Sequence, residues 1–304
     1  MEIQYPSFSL RMLNLVIAMC KGDPLVPSLL CDLGYQEHWI EMPFQNEQGR
    51  TVVPEIIVFS REKGHTILWE WKKGNLKQDQ MLRYDGVKPR DLSERAEIPP
   101  SATERHAVAV VTNEDDAADF ARVLAQWKLS FPVLAKGPTS IRLICNSLEV
   151  NELNKAFSEG LQLREELPLS YVPFDRDTPQ WKYVEKVGQC VISYMQSRQP
   201  RVELRMLCAD AVRAWSVLSD SEKSYHEEKL RDATTELATN ELRGYLRRAK
   251  RVEGRTHKPT WDIENNPLNM SMDRRTLVYR DLQKKMSDAV ARLQTGQGVL
   301  PLEM

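Results

Sequence analysis

A chain of 304 residues, 41% hydrophobic and 28% charged, is long enough for two ordinary domains and too apolar to be disordered. Its formal net charge of -1 gives no global signal for a polyanionic partner, so any nucleic-acid surface has to come from local clustering. The five cysteines (Cys20, Cys31, Cys145, Cys190, Cys208) are widely spaced with no C-x-x-C, which argues against a disulfide framework or zinc ribbon and fits reduced thiols in a cytoplasmic protein.

Residues 8–21 read as a buried amphipathic helix that Lys21 and Gly22 bring to an end. Its apolar run is too short to span a bilayer and lacks the basic flank of a signal peptide, so no membrane association is expected. Residues 38–45 are strand-like. The runs 51–60 and 65–72, rich in β-branched and aromatic residues and joined by R-E-K-G, mark a hairpin. Residues 74–86 suggest a short helix, with Asn75 and Gln78 in a capping-box pattern and Gly86 at its end. A strand over 106–112, a helix over 115–128 and strands over 131–136 and 140–145 follow. This α-β-β-β-α-β-α-β-β order predicts a mixed α/β sheet with flanking helices. The Pro-containing stretch 167–179 separates two domains, 1–165 and 166–304. The second, with helical periodicity over 180–196, 201–218, 221–250 and 273–294, is predicted to be all-helical.

The hairpin carries charges where apolar residues are expected. Strand interiors rarely tolerate ionised groups unless these are paired or bind a metal. Alternation puts Glu70 and Lys72 on one face of their strand, and a turn around 62–64 brings Glu55 opposite them. Two carboxylates and an ammonium so placed suit a divalent cation and a positioned water.

P-E-x14-E-W-K over residues 54–72 resembles the metal-binding signature of the PD-(D/E)XK nuclease superfamily, with glutamate in place of the first aspartate. In the following helix, Gln80 and Tyr84 resemble the Q-x-x-x-Y motif of its RecB-like and lambda-exonuclease-like branch, with Lys77 on the same side. The resemblance covers about the first 150 residues and implies a restriction-endonuclease-like core, with the site on its second and third strands. It further implies that Glu55, Glu70 and the Trp71 carbonyl hold Mg²⁺ or Mn²⁺, that Lys72 acts on the attacking water, and that Gln80 and Tyr84 complete the site. The branch often adds an upstream histidine or acid, for which Glu37, His38 and Glu41 are open candidates, exposed strand residues being the favoured reading of His38 and Glu41. No Ser-His-Asp or H-E-x-x-H arrangement competes.

In the second half, residues 243–258 are strongly basic. Arg243, Arg247, Lys250 and Arg251, with Arg248 beside them, are predicted to line a helical face that contacts phosphates; a solvated or salt-bridged face is an equal alternative. Residues 214–232 resemble the second and third helices of an HMG box, a pattern that simple helix-turn-helix packing explains as well. The expected function is a metal-dependent nuclease acting on DNA ahead of RNA, in the setting of a prokaryotic defence or mobile-element system. The alternative is a catalytically silent nuclease fold that binds nucleic acid or, through its helical half, a protein partner or second copy.

Overall fold

Helix α1 (Phe8–Lys21) forms where the sequence places it. The Ser7 hydroxyl accepts from the Leu10 amide at 3.1 Å, and Gly22, at φ 63°, supplies the left-handed stop. The computed structural model describes residues 6–164, 169–249 and 259–295. By contact clustering the chain divides into a sheet unit, residues 6–172 with 217–219, and a second unit, residues 173–216 and from 220 on. The division thus falls a few residues beyond the predicted 165/166 boundary, within the Pro-containing stretch.

After a short helix α2 (Leu29–Asp32), the sheet unit contains β1 (Tyr35–Ile40), β2 (Phe44–Gln45), β3 (Thr51–Val52), β4 (Ile56–Ser60) and β5 (His65–Trp71). Then come α3 (Gln78–Asp85), α4 (Pro89–Glu94), β6 (Arg105–Asn113), α5 (Glu114–Gln126), β7 (Val133–Lys136), β8 (Ser140–Cys145), α6 (Asn151–Glu159) and β9 (Leu161–Gln162). Seven strands form one sheet in the order β1-β4-β5-β6-β7-β8-β9. Strands β5, β6 and β7 are parallel, and the other neighbours pair antiparallel. The predicted mixed α/β sheet with flanking helices is therefore present, and β5, an interior strand, is buried along its whole length.

Two strands are shorter than the periodicity suggests. Residues 38–45 do not run on as one strand: β1 begins at Tyr35 and stops at Ile40, where Glu41 turns left-handed (φ 50°) ahead of Pro43. Residues 51–60 split at Pro54, which has no amide to donate to a ladder. Helix α3 starts at Gln78 with Lys77 as N-cap, so the Asn75–Gln78 capping box is not formed, whereas Gly86 does end the helix. On one sheet face Ile57, Phe59, Leu68, Val108, Val110 and Val133 pack against Met81 and Tyr84 of α3 and Ala117, Phe120 and Leu124 of α5. Buried Asn14 of α1 clamps the end of the unit: its amide donates to Val172 O at 2.7 Å, and its Oδ1 accepts from the Tyr171 and Val172 amides.

The second unit is mostly helical but not all-helical. It contains α7 (Gln180–Gln196), β10 (Arg201–Glu203), α8 (Leu204–Ala211), α9 (Asp220–Thr239), β11 (Leu246–Arg248), β12 (Thr260–Ile263) and α10 (Met272–Gln294), and its strands pair antiparallel in the order β10-β12-β11. Two predicted helices are therefore corrected. Residues 201–218 begin as a strand whose buried Val202 sits between exposed Arg201 and Glu203, a period-two pattern too short to stand out. The helix expected to reach residue 250 ends at Thr239, and Gly244 at φ 90° precedes a strand. Before α9, the HMG-like stretch holds a 3₁₀ turn at Trp215–Val217 in place of a second long helix. No helix among the described residues is long and apolar enough to cross a membrane.

Inside the second unit, His226 Nδ1 lies 2.9 Å from the Tyr183 hydroxyl, and Glu222 is held by Arg176 at 2.7 Å. Burial pushes the His226 pKa down to about 4, with the Arg176 charge adding to it and Glu222 and Asp175 opposing it. The unfolded chain takes up this proton near 6.5, before the folded protein does. Its contribution is thus present above pH 6.5 and lost as pH falls towards 4, in total about 3 kcal/mol. Denaturation midpoints of wild type and His226→Asn should converge across that window; a constant gap would rule the coupling out.

Candidate active site

The charged residues of the hairpin lie where β5 meets its neighbours. Gly64, at φ 57°, closes the turn between β4 and β5, and the register pairs Ile57 with Leu68 and Ile56 with Trp69. Glu55, one residue before β4, is consequently level with Glu70, and its amide donates to Trp69 O at 3.0 Å. On the other side Glu70 pairs with Val110 of β6, and the Lys72 amide donates to Val111 O at 2.9 Å. Glu70 is only 1% exposed. A carboxylate buried in the centre of a sheet demands partners.

It has three. Gln80 Nε2 donates to Glu70 Oε1 at 2.9 Å, and Lys72 Nζ forms an ion pair with the same oxygen. The Tyr84 hydroxyl donates to Oε2 and also lies 2.7 Å from Val53 O, so its one proton is contested by two acceptors. Burial, with the charges of Glu70 and Glu55 behind it, drives the Tyr84 pKa well up and keeps the phenol a donor. The i,i+4 spacing thus points both Gln80 and Tyr84 at Glu70. Lys77 is exposed and lies just outside the helix as its N-cap.

Glu55 is in a different electrostatic position. Burial first, then the charges of Glu70 and Glu41, raise its pKa to about 8, and Lys72 offsets this only in part. Trp71, itself buried, turns its indole N–H toward Glu55 without reaching hydrogen-bonding geometry. Glu55 thus holds a proton at neutral pH in a cluster of hard oxygen donors, and a divalent cation is a natural replacement for that proton. Among the described residues, no group of three or more His, Cys, Asp or Glu side chains is arranged to hold a metal. The expected set of two carboxylates and one backbone carbonyl is not such a group.

Of the upstream candidates left open by the sequence, Glu41 is the one near Glu55: its charge acts on Glu55, and its amide donates to Glu55 O at 3.2 Å. The left-handed backbone at Glu41 is a conformation that non-glycine residues adopt mainly under local demand. Glu37 pairs instead with Lys21, and His38, in a bulge of β1, is within 2.8 Å of Ala96 O and packs on Phe59. Neither a histidine nor a strict spacing marks Glu41 in the sequence. Only the break of β1 before Pro43 brings it to the hairpin.

The basic stretch of the second unit does not form a helical face. Arg243 lies in the turn after α9, and Arg247 and Arg248 are on β11. All three nevertheless line one cavity of about 480 Å³, together with Thr235, Thr239, Leu246, Trp261 and Glu264. Lys250 and Arg251 lie outside the described residues.

No curated protein and no solved structure matches the chain. A family model does: the MJECL32 domain matches residues 9–172, more than half of the chain, and ends where the main segment of the sheet unit ends, so the chain belongs to the MJECL32 domain family.

Proposed function

We propose that the protein is a divalent-metal-dependent nuclease of the PD-(D/E)XK type, with a restriction-endonuclease-like core in its sheet unit and its active site at Glu55, Glu70 and Lys72. The observation that carries this reading is the convergence of Lys72, Gln80 and Tyr84 on the buried Glu70 carboxylate, with proton-bearing Glu55 level with it. A Mg²⁺ or Mn²⁺ ion held by Glu55, Glu70 and the Trp71 carbonyl would supply Lewis-acid activation of the phosphodiester and its water. Gln80 and Tyr84 fix the rotamer of Glu70, so the carboxylate is oriented before substrate arrives. Lys72, anchored to β6 through its amide, orients the attacking water and offsets charge as the P–O bond to the leaving oxygen breaks. Glu41 is positioned to complete the acidic side of the site. DNA is the proposed substrate ahead of RNA, cleaved in the cytoplasm in a defence or mobile-element setting, with the arginines of the second unit adding affinity.

One observation favours a silent binding module instead: both oxygens of Glu70 are already engaged by protein donors. Incubating the purified protein with plasmid, linear DNA, single-stranded DNA and RNA decides between the two. Cleavage with Mg²⁺ or Mn²⁺ that EDTA abolishes supports the nuclease. Binding without cleavage in every metal supports the module, and cleavage that EDTA leaves untouched rejects the proposed site.

A further inference from the structure

We infer that the arginine-lined cavity of the second unit is a binding pocket for a phosphate monoester, the terminal phosphate of a nucleic-acid strand or that of a free nucleotide. Three arginines, Arg243, Arg247 and Arg248, line the cavity with one acidic residue, Glu264, which is paired with Arg247 at 2.8 Å. Arg243 and Arg248 are exposed and have no acidic partner among the described residues. The nearby acids are engaged elsewhere: Asp262 by Arg201 at 2.9 Å, and Glu236 and Glu241 by Arg292 at 2.9 Å. The pocket therefore carries about two uncompensated positive charges, against the roughly -1.5 to -2 of a phosphate monoester at neutral pH. A phosphodiester, with one charge, would leave a guanidinium unmatched.

Trp261, fully buried, contributes to the pocket lining opposite Arg248 in the β11–β12 register. The cavity, about 480 Å³, exceeds what a bare phosphate needs and admits the attached sugar. Planar guanidiniums also suit bidentate recognition of phosphate oxygens.

Calorimetric titration of the full chain in EDTA, where nothing is cleaved, tests the pocket independently of the nuclease reading. Adenosine monophosphate should bind, and adenosine should not. The Arg243→Gln/Arg248→Gln double variant should weaken nucleotide binding by on the order of tenfold or more. Glu264→Gln, which frees Arg247, should tighten it several-fold, a gain that a merely misfolded variant would not give. An oligonucleotide with and without a terminal phosphate then identifies the source: preference for the phosphorylated end over the free nucleotide assigns strand ends, and the reverse assigns nucleotides. Equal binding of adenosine and its monophosphate, or unchanged affinity in both sets of variants, overturns the inference.

Discussion

Lys72→Met is expected to abolish metal-dependent cleavage and, unlike most changes at an active site, to destabilise the metal-free protein as well. Removing the ammonium leaves the Glu70 carboxylate buried in the middle of a sheet with only neutral donors, Gln80 and Tyr84. Breaking a buried pair on one side costs about 3–5 kcal/mol. Lys72 keeps 22% of its side chain exposed, which places the expected loss at the lower end, about 3 kcal/mol. Glu70→Gln should lose activity to a similar degree yet stay close to wild-type stability, because it removes the charge and keeps the shape. The double variant should regain most of what Lys72→Met loses. Urea denaturation in EDTA alongside a cleavage assay checks all three. Wild-type stability and rate in Lys72→Met would mean that the ion pair does nothing.

Glu55→Gln should stabilise the metal-free protein at pH 8 and remove a pH dependence that wild type shows. Unfolded, Glu55 loses its proton near 4.5; folded, burial and the neighbouring carboxylates hold it to about 8. Between those values the folded state binds the extra proton, so stability falls as pH rises, by about 5 kcal/mol over the full span. His65, whose pKa burial pushes down to about 3, and His226 act in the opposite sense below pH 6.5, so the clean window is pH 6.5 to 8. Mg²⁺ or Mn²⁺ should reverse the loss in wild type by binding the ionised carboxylate, and should do little for Glu55→Gln. A metal-free stability that is flat from pH 6.5 to 8 would remove Glu55 from the cluster.

Much of the sheet unit was legible in the sequence because its signals are local. Helix α1 has a cap at each end, β5 is a continuous β-branched and aromatic run, and the turn at Gly64 sets the register that brings Glu55 level with Glu70. The resemblance to a Q-x-x-x-Y motif singled out Gln80 and Tyr84, and their i,i+4 spacing on a helix fixes a common face. What the sequence hid depends on contacts between distant residues. Strand β10 has three residues and earns its identity from pairing with β12, some sixty positions later. The run around Arg247 has good helix formers, and the buried Leu246 and Trp261 override that preference. Alternation placed Glu70 and Lys72 on one face but not in contact; their ion pair makes the removal of one unlike the removal of the other.

The short return of residues 217–219 to the sheet unit has a practical side. Leu218 bridges to Ile40, and the Ser219 amide donates to Ile40 O at 3.0 Å, so a segment from late in the chain covers part of β1, the edge strand of the seven-stranded sheet. The family match ends at residue 172, which invites cutting the gene there to obtain the domain alone. A fragment cut at that point would lack this cover and expose backbone groups that invite edge-to-edge association. For expression, crystallisation or domain transplantation, a fragment that keeps this cover is therefore discontinuous in sequence, with the tripeptide supplied by a graft, a permuted chain or a neighbouring copy.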